Sequence, residues 1–414
     1  MRIATFMLIA AVLACTVPIT YADAQTASPP PPSPDISYNV DGAGATFPFP
    51  LIDLWRVKIA EEFDNFAMNY QSIGSGGGVK NHIEETIAFA ATDAPLTVAE
   101  AAAVNPTLHI PEAIGAVNIV YNVDGVPDGL KLTGQTISDI FEGKITQWDD
   151  PSIAATNPGV ELPSERITVV HRSDGSGTTK VLTQWLSLVS ESWDEDVGSG
   201  KSVGWPVGIG SPGNEGVAGT MLTTPNSIAY VSIAYAIQND IKSVAVENGD
   251  MTNFVYPSLQ STADAASELA RVSLPAAEEP WHHVHLLNAP GENSYPLSTF
   301  TYLLVYEDVT KVTADKQDAA GLLWMIDWMI TEGQNYSEGL GFVPLPNEVI
   351  EIAKHGLSRV TYDGEQIWEY IPEADLIPDW VRQIFVFYAN DQISDAELVG
   401  ALQYLIGAGI IQLS

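Results

Sequence analysis

Three observations on this 414-residue chain predict an α/β fold with parallel or mixed sheets. From Ile36 onwards, apolar strand-like runs alternate with amphipathic helical ones. Strands separated by helices pair in this way and place ligand sites at their carboxyl ends. Three short Gly/Ser/Thr-rich stretches each precede a helical run. The length is enough for two domains with sizeable cores, and a hydrophobic content of 46% argues for a globular fold.

Residues 1–24 read as an export signal. Arg2 gives the charged start, 3–17 a mostly apolar core, and Ala22-Asp23-Ala24 a small-x-small cleavage site. The apolar run is short for a membrane span. The one cysteine, Cys15, ends a Val-Leu-Ala-Cys run that resembles a lipoprotein box. Leu13 fits that box poorly, so cleavage near Ala24 is preferred to a lipid anchor. The mature chain then has no disulfide and depends on its cores. Residues 25–35 contain Ser28-Pro29-Pro30-Pro31-Pro32-Ser33-Pro34, expected to be a stiff polyproline linker outside any core.

Strands are expected at 37–40, 67–73, 113–122 and 167–171, and helices at 50–63, 79–89, 138–142 and 180–189. The Gly/Ser/Thr-rich stretches 42–47, 74–78 and 174–179 fall just before three of those helices. A helix N-terminus presents unpaired N–H groups and the positive end of the macrodipole. Glycine allows close backbone approach, and Ser/Thr hydroxyls add donors. The chain has only 17 Lys+Arg against 52 Asp+Glu. That balance points to an anion held by neutral dipoles rather than by a basic patch. The net charge of −35 argues against nucleic acid or an anionic membrane surface as partner.

Enzymatic readings find little support. Residues 74–80 superficially match a nucleotide-binding P-loop, but Val79 replaces the required glycine and Asn81 the Ser/Thr. Ser75 and Ser176 have Ile73 and Asp174 two residues earlier, so neither forms a nucleophile elbow. His171 lies near Ser176 in sequence without an evident orienting partner. His282, His283 and His285 form the one histidine cluster. A strand there would put His283 and His285 on one face, but a solvated loop is the preferred reading and no metal is expected. The ten Trp residues read mostly as core or surface anchors, not as a sugar-binding platform.

Several stretches, in order and at matching spacing, resemble the phosphate-binding proteins of ABC phosphate importers. They are 42–50 (GAGATFPFP), 70–80 (YQSIGSGGGVK), 91–96 (ATDAPL), 140–149 (IFEGKITQWD), 172–178 (RSDGSGT), 213–219 (GNEGVAG) and 227–235 (SIAYVSIAY). The resemblance covers roughly 38–352. It implies a two-lobed, hinged, type II periplasmic-binding-protein-like fold closing on one inorganic phosphate. The first lobe would combine 36–111 with 289–371, and the second would be 112–288. A monomeric, non-enzymatic receptor is implied, outside the cell or in the periplasm, needing no cofactor and handing phosphate to ABC permease membrane subunits. The competing class is a secreted phosphate-ester hydrolase or phosphate-dependent surface protein built on the same cradle.

The resemblance also implies roles. Thr46 and Phe47 would give backbone N–H groups, with the Thr46 hydroxyl added. Ser75, between Gly74 and Gly76, would donate through N–H and hydroxyl, and Ser176, Gly177 and Thr178 would do the same from the second lobe. Arg172 would bring the formal positive charge, held by Asp174. Asp93 would accept the hydroxyl of phosphate, which fully ionised sulfate lacks. For a lone Ser or Thr, helix capping is the ordinary alternative.

Beyond Ile352 the resemblance fades. A helix is expected from 375–380 to about 388 and a second at 396–406, ending at Gly407 and Gly409. Trp380, Ile384, Phe387 and Tyr388 would face Leu398, Leu402 and Leu405. This helical hairpin, 372–414, resembles short C-terminal modules of extracellular archaeal proteins. Docking on a cell surface and covering of lobe surface are both open to it.

Overall fold

The computed structural model describes residues 28–271 and 273–370, with residues 388, 394, 398–401 and 403. Residues 28–368 form one compact unit, and the described residues beyond 368 belong to a second. In the second unit, residues 398–401 are helical and the Leu398 N–H donates to Ser394 O at 3.0 Å. They fall inside the second helix expected near the C-terminus. Residues 388 and 403 are helical as well, and apart from these and 394 the rest of that hairpin, with the export signal and Cys15, lies outside the described residues.

Along the first unit, β1 (Tyr38–Gly44) leads to α1 (Phe49–Glu62), β2 (Phe66–Ser72), α2 (Ser75–Ile83), β3 (Phe89–Thr92) and the long β4 (Thr107–Asn122). Then come β5 (Leu130–Leu132), α3 (Gly134–Phe141), β6 (Thr168–Arg172), α4 (Gly177–Val189), β7 (Ile209–Ser211), α5 (Gly213–Thr223) and β8 (Ser227–Ser232). β9 (Val244–Glu247), β10 (Phe254–Val255), β11 (Leu286–Leu287), β12 (Leu297–Tyr306), α6 (Lys316–Ile330) and α7 (Asn347–Leu357) follow.

The main sheet runs β2-β1-β3-β12-β4-β8-β6-β7, with β11 beside β12. β1 is parallel to β2 and β3, β12 is antiparallel to β3 and β4, and β6 is parallel to β8 and β7. β4 joins the two halves. Its residues 107–116 pair with β12 and 117–122 with β8, both antiparallel. This is the expected mixed α/β, two-lobed architecture; the strand β4 common to both halves is not among the expectations. β4 is buried along nearly its whole length, as a strand covered on both faces must be.

The sequence shows only the second part of β4 because Pro111 and Glu112 interrupt its apolar pattern. The structure resolves this with a bulge. Thr301 pairs with Ala113 and Tyr302 with Pro111, so Glu112 is the extra residue. A bulge tolerates a residue with no N–H to give to the ladder. The core is built from large side chains, with Trp55, Trp148, Trp185, Trp193 and Trp281 fully buried.

Three local expectations need correction. The helix expected at 79–89 starts at Ser75 and ends at Ile83, so Gly76, Gly77 and Gly78 lie inside it. Those glycines weaken the helix relative to alanine, but they permit contact. A Cβ on Gly78 would sit 2.5 Å from Gly44 Cα, and one on Gly76 would sit 2.9 Å from Gly175 Cα. Likewise β1 runs on through Gly42–Gly44, where a Cβ on Gly42 would meet the Phe89 ring at 2.2 Å. The proline-rich segment is packed rather than free. Pro29 and Pro32 are buried, Ser33 N–H donates to the Tyr38 hydroxyl at 3.1 Å, and Asn65 Nδ2 donates to Ser33 O at 2.7 Å. A polyproline helix has three residues per turn, so Pro29 and Pro32 share the face that meets the domain.

Candidate anion site

Three strand ends point into one seam between the halves. β1 and β2 deliver Thr46, Phe47 and Ser75 from one side, and β6 delivers residues 172–178 from the other. Gly76 N–H donates to Gly175 O at 2.8 Å, and Gly177 N–H donates to Ser75 Oγ at 3.0 Å. Gly74 is required there for two reasons. Its φ is +81°, and a Cβ would lie 2.3 Å from Asp174 Oδ2. Ser75 is the first residue of α2 and Thr178 the second of α4, so both sit at positive helix termini.

Arg172 and Asp174 form the expected fork. Nε donates to Asp174 Oδ1 at 2.7 Å and Nη2 to Oδ2 at 2.6 Å, and the Arg172 side chain is only 1% exposed. Burial pulls the guanidinium down, but the carboxylate outweighs it and holds it above its ordinary value. Burial pushes Asp174 up, and the bond and charge of Arg172 reverse this and bring it below the usual carboxylate range. Asp174 Oδ1 also accepts the Gly213 N–H at 3.1 Å. With its Nε/Nη2 edge spent on Asp174, Arg172 has its other edge left for an anion.

Asp93 directly follows β3 and is buried. Its Oδ2 accepts the Thr178 hydroxyl at 3.0 Å, while Oδ1 has no partner in the protein. Burial raises its pKa to about 6, against the opposing pull of Thr178 and Arg172. Donors from both halves, one guanidinium and one bare carboxylate oxygen suit an oxyanion that still carries a proton.

Thr46 and Ser176 differ in what they can offer. Thr46 is buried, and its Oγ1 accepts from Asn214 N at 3.0 Å and Asn214 Nδ2 at 2.8 Å. Ser176 is the N-cap of α4. Its Oγ accepts from Thr179 N–H at 3.0 Å, and its own N–H donates to Lys201 O at 2.8 Å. The structure therefore corrects the expectation that 176–178 offer a full set of donors: Ser176 keeps only its hydroxyl proton, the Gly177 N–H is taken by Ser75 Oγ, and the Thr178 hydroxyl is spent on Asp93. Phe47 is a buried anchor, its ring edge-on to Phe342 at 5.8 Å.

Sequence reasoning missed several residues here. Asn214 bridges Thr46 and Thr178. The Tyr230 hydroxyl accepts Arg172 N–H at 3.1 Å and pairs with Thr179 Oγ1 at 2.6 Å. The Tyr235 hydroxyl donates to Thr46 O at 2.8 Å. Lys201 reaches Glu100 of the other half at 2.8 Å. Glu112, the bulge residue of β4, accepts from Thr301 Oγ1 at 2.9 Å and has a bare Oε2. Burial lifts Glu112 to about 8, with Asp93 adding to the rise. Asn214, Tyr230 and Tyr235 lie within quoted stretches, but a search for glycine-rich helix starts passes over residues that support from behind. The histidine segment is elsewhere and unlike a strand: His282 and His283 are in a turn, and both are exposed with His285.

A PBP superfamily domain matches residues 25–332. The chain is 40% identical over 333 residues to the phosphate-binding protein PstS of Pasteurella multocida, covering 80% of this chain and 93% of that protein. It is 39% identical over 330 residues to PstS of Xylella fastidiosa, covering 80% and 87%. Among solved structures, a high affinity periplasmic phosphate-binding protein (PfluDING) bound with phosphate at pH 8.5 matches with a TM-score of 0.59 and 21% identity, over 77% of this chain and 93% of that one. At that identity the structural match speaks to the fold, and it is the sequence relatives that carry the assignment: this chain belongs to the PstS phosphate-binding-protein family.

Proposed function

We propose that this protein is an extracellular or periplasmic receptor that captures inorganic phosphate between two lobes and delivers it to the membrane subunits of an ABC phosphate importer. The lobes are 36–111 with 289–371, and 112–288, with β4 passing between them. The ligand set is Thr46, Phe47, Ser75, Asp93, Arg172, Ser176 and Thr178, with Asp174, Gly74, Gly76 and Gly177 holding it in shape, the Gly177 N–H by its bond to Ser75 Oγ. One observation carries this reading. The buried Asp93 Oδ1 has no protein partner, although it lies among helix N-termini and beside a guanidinium. A bare carboxylate oxygen in an anion cradle is costly unless the anion brings a hydrogen. Phosphate does, and sulfate does not.

The protein binds and releases its ligand without chemistry on this reading. Ser75 Oγ accepts from Gly177 N–H and Ser176 Oγ caps a helix, so neither faces a general base. Calorimetry with phosphate, arsenate and sulfate tests the proposal, alongside a generic phosphomonoester assay. Phosphate and arsenate are expected to bind, sulfate to fail, and ester hydrolysis to stay at background. Sulfate binding as tight as phosphate, or steady ester turnover, would remove it.

A further inference from the structure

Asn214 is the second residue of α5 and is fully buried between the two halves. Its Oδ1 accepts the Ser232 backbone N–H at 2.8 Å. A backbone N–H only donates, so that contact fixes which way round the amide sits. Nδ2 then points the other way. It donates to Thr46 Oγ1 at 2.8 Å and to Thr178 Oγ1 at 3.2 Å. The Asn214 backbone N–H gives Thr46 Oγ1 a second donor at 3.0 Å.

A hydroxyl has one proton and two acceptor lone pairs. At Thr46 both lone pairs are filled from Asn214, so the one bond left to its oxygen is a donation. At Thr178 one lone pair takes Nδ2–H and the proton goes to Asp93 Oδ2 at 3.0 Å. We infer that Asn214 is a positioning residue that makes the Thr46 hydroxyl an obligate donor to the bound anion. The inference rests on the phosphate reading of the site. Thr46 follows β1 in one half and Asn214 lies in the first turn of α5 in the other, so the donor is set only when the halves meet. An unlocked hydroxyl would spend part of its time with a lone pair toward the anion, which repels. Locking the rotor removes that state and the entropy cost of leaving it.

The test is a double-mutant cycle read by phosphate calorimetry on the full chain: wild type, Asn214→Ala, Thr46→Val and the pair. In the wild-type background Asn214→Ala is expected to weaken phosphate about tenfold, the worth of one well-made hydrogen bond. In the Thr46→Val background the same change is expected to cost less than about twofold, because there is no hydroxyl left to orient. A residue that merely held the fold would cost the same in both. Thermal melts accompany each variant. If Asn214→Ala does not fold, the near-isosteric Asn214→Asp carries the cycle. It puts an acceptor where Nδ2 was, and the part of its loss due to a misdirected hydroxyl disappears with Thr46→Val. Losses that add independently overturn the inference and leave phosphate binding standing. A wild-type protein that ignores phosphate overturns both.

Discussion

The Thr178 hydroxyl donates to Asp93 Oδ2 at 3.0 Å, across the seam between the two halves of the sheet. Thr178 stands in the first turn of α4 and Asp93 directly after β3, so the bond exists only when those elements meet. It also divides the carboxylate into an occupied oxygen and a bare one.

Arg172→Ala is expected to weaken phosphate by about 3 kcal/mol without unfolding the chain, since losing one partner of a buried pair leaves the other uncompensated. Asp174 is 23% exposed on its side chain, so water relieves part of its isolation and the protein is expected to stay folded. Arg172→Lys keeps the charge but loses the fork, and should fall between. Calorimetry gives the affinities and circular dichroism the fold. Unchanged affinity in a folded Arg172→Ala protein would place this residue outside the site.

Glu112 carries a pH dependence of opposite sign to a surface carboxylate. Burial first, then Asp93, raise its folded pKa to about 8, above the ordinary value of 4.5. The folded state therefore binds this proton more tightly than the unfolded state does. Stability from this group is full below about pH 4.5 and is lost as pH rises to about 8. Glu112→Gln, which cannot ionise, is expected to be more stable than wild type above about pH 8 and close to it near pH 5. Urea titrations at the two pH values give the comparison. A difference that does not grow with pH would mean that Glu112 stays charged.

His109 and His82 work in the other direction. Burial lowers His109 to about 4 and His82 to about 3. His109 Nε2 accepts the Leu96 N–H at 3.1 Å, so a proton there breaks a buried bond. His82 lies flat on Tyr306, ring centres 3.9 Å apart, with its Nδ1 unpartnered. The unfolded chain takes up these protons first, near pH 6.5, so stability is expected to fall from there down to about pH 4 for His109 and about pH 3 for His82. His109→Gln should flatten that fall while costing stability at neutral pH. A slope unchanged by the substitution would assign the acid loss to other groups.

The legible parts of the sequence were those where a local rule meets a local structure. The glycine runs, the strand–helix alternation and the 172–178 stretch mark the loops directly. Boundaries slipped where tertiary contact overrides propensity. Gly76–Gly78 read as a loop but form helix because Gly175 and Gly44 press against them. Pro111 and Glu112 hid the first part of β4, since a bulge depends on the partner strand. Ser176 looked like a full set of donors, but Lys201 O and Thr179 N–H, set by the packing of distant chain, take most of it. Asn214 was invisible as a role because its partners, Thr46 and Ser232, come from segments far apart in sequence.

Asp93→Asn tests the origin of selectivity, and the hydrogen-bond pattern decides its direction. The substitution turns one carboxylate oxygen into NH₂ and leaves the other as a carbonyl. Thr178 Oγ1 receives Asn214 Nδ2 and so keeps its proton for the Asp93 side. That pins the carbonyl at the Oδ2 position and places the NH₂ where Oδ1 was, facing the anion. Phosphate then loses the acceptor for its hydroxyl, and an affinity loss of about tenfold to a hundredfold is expected. Sulfate meets a donor in place of a buried negative charge and is expected to gain. Acid should mimic the substitution, because Asp93 takes up a proton near pH 6 and its bare oxygen can become a donor. Competition of sulfate against labelled phosphate is measured for both proteins at about pH 8 and about pH 5, at one ionic strength. Wild type is expected to exclude sulfate at the higher pH and less firmly at the lower, and Asp93→Asn to admit it at both. A mutant that rejects sulfate as strictly as wild type would reduce Asp93 to a turn residue before Pro95.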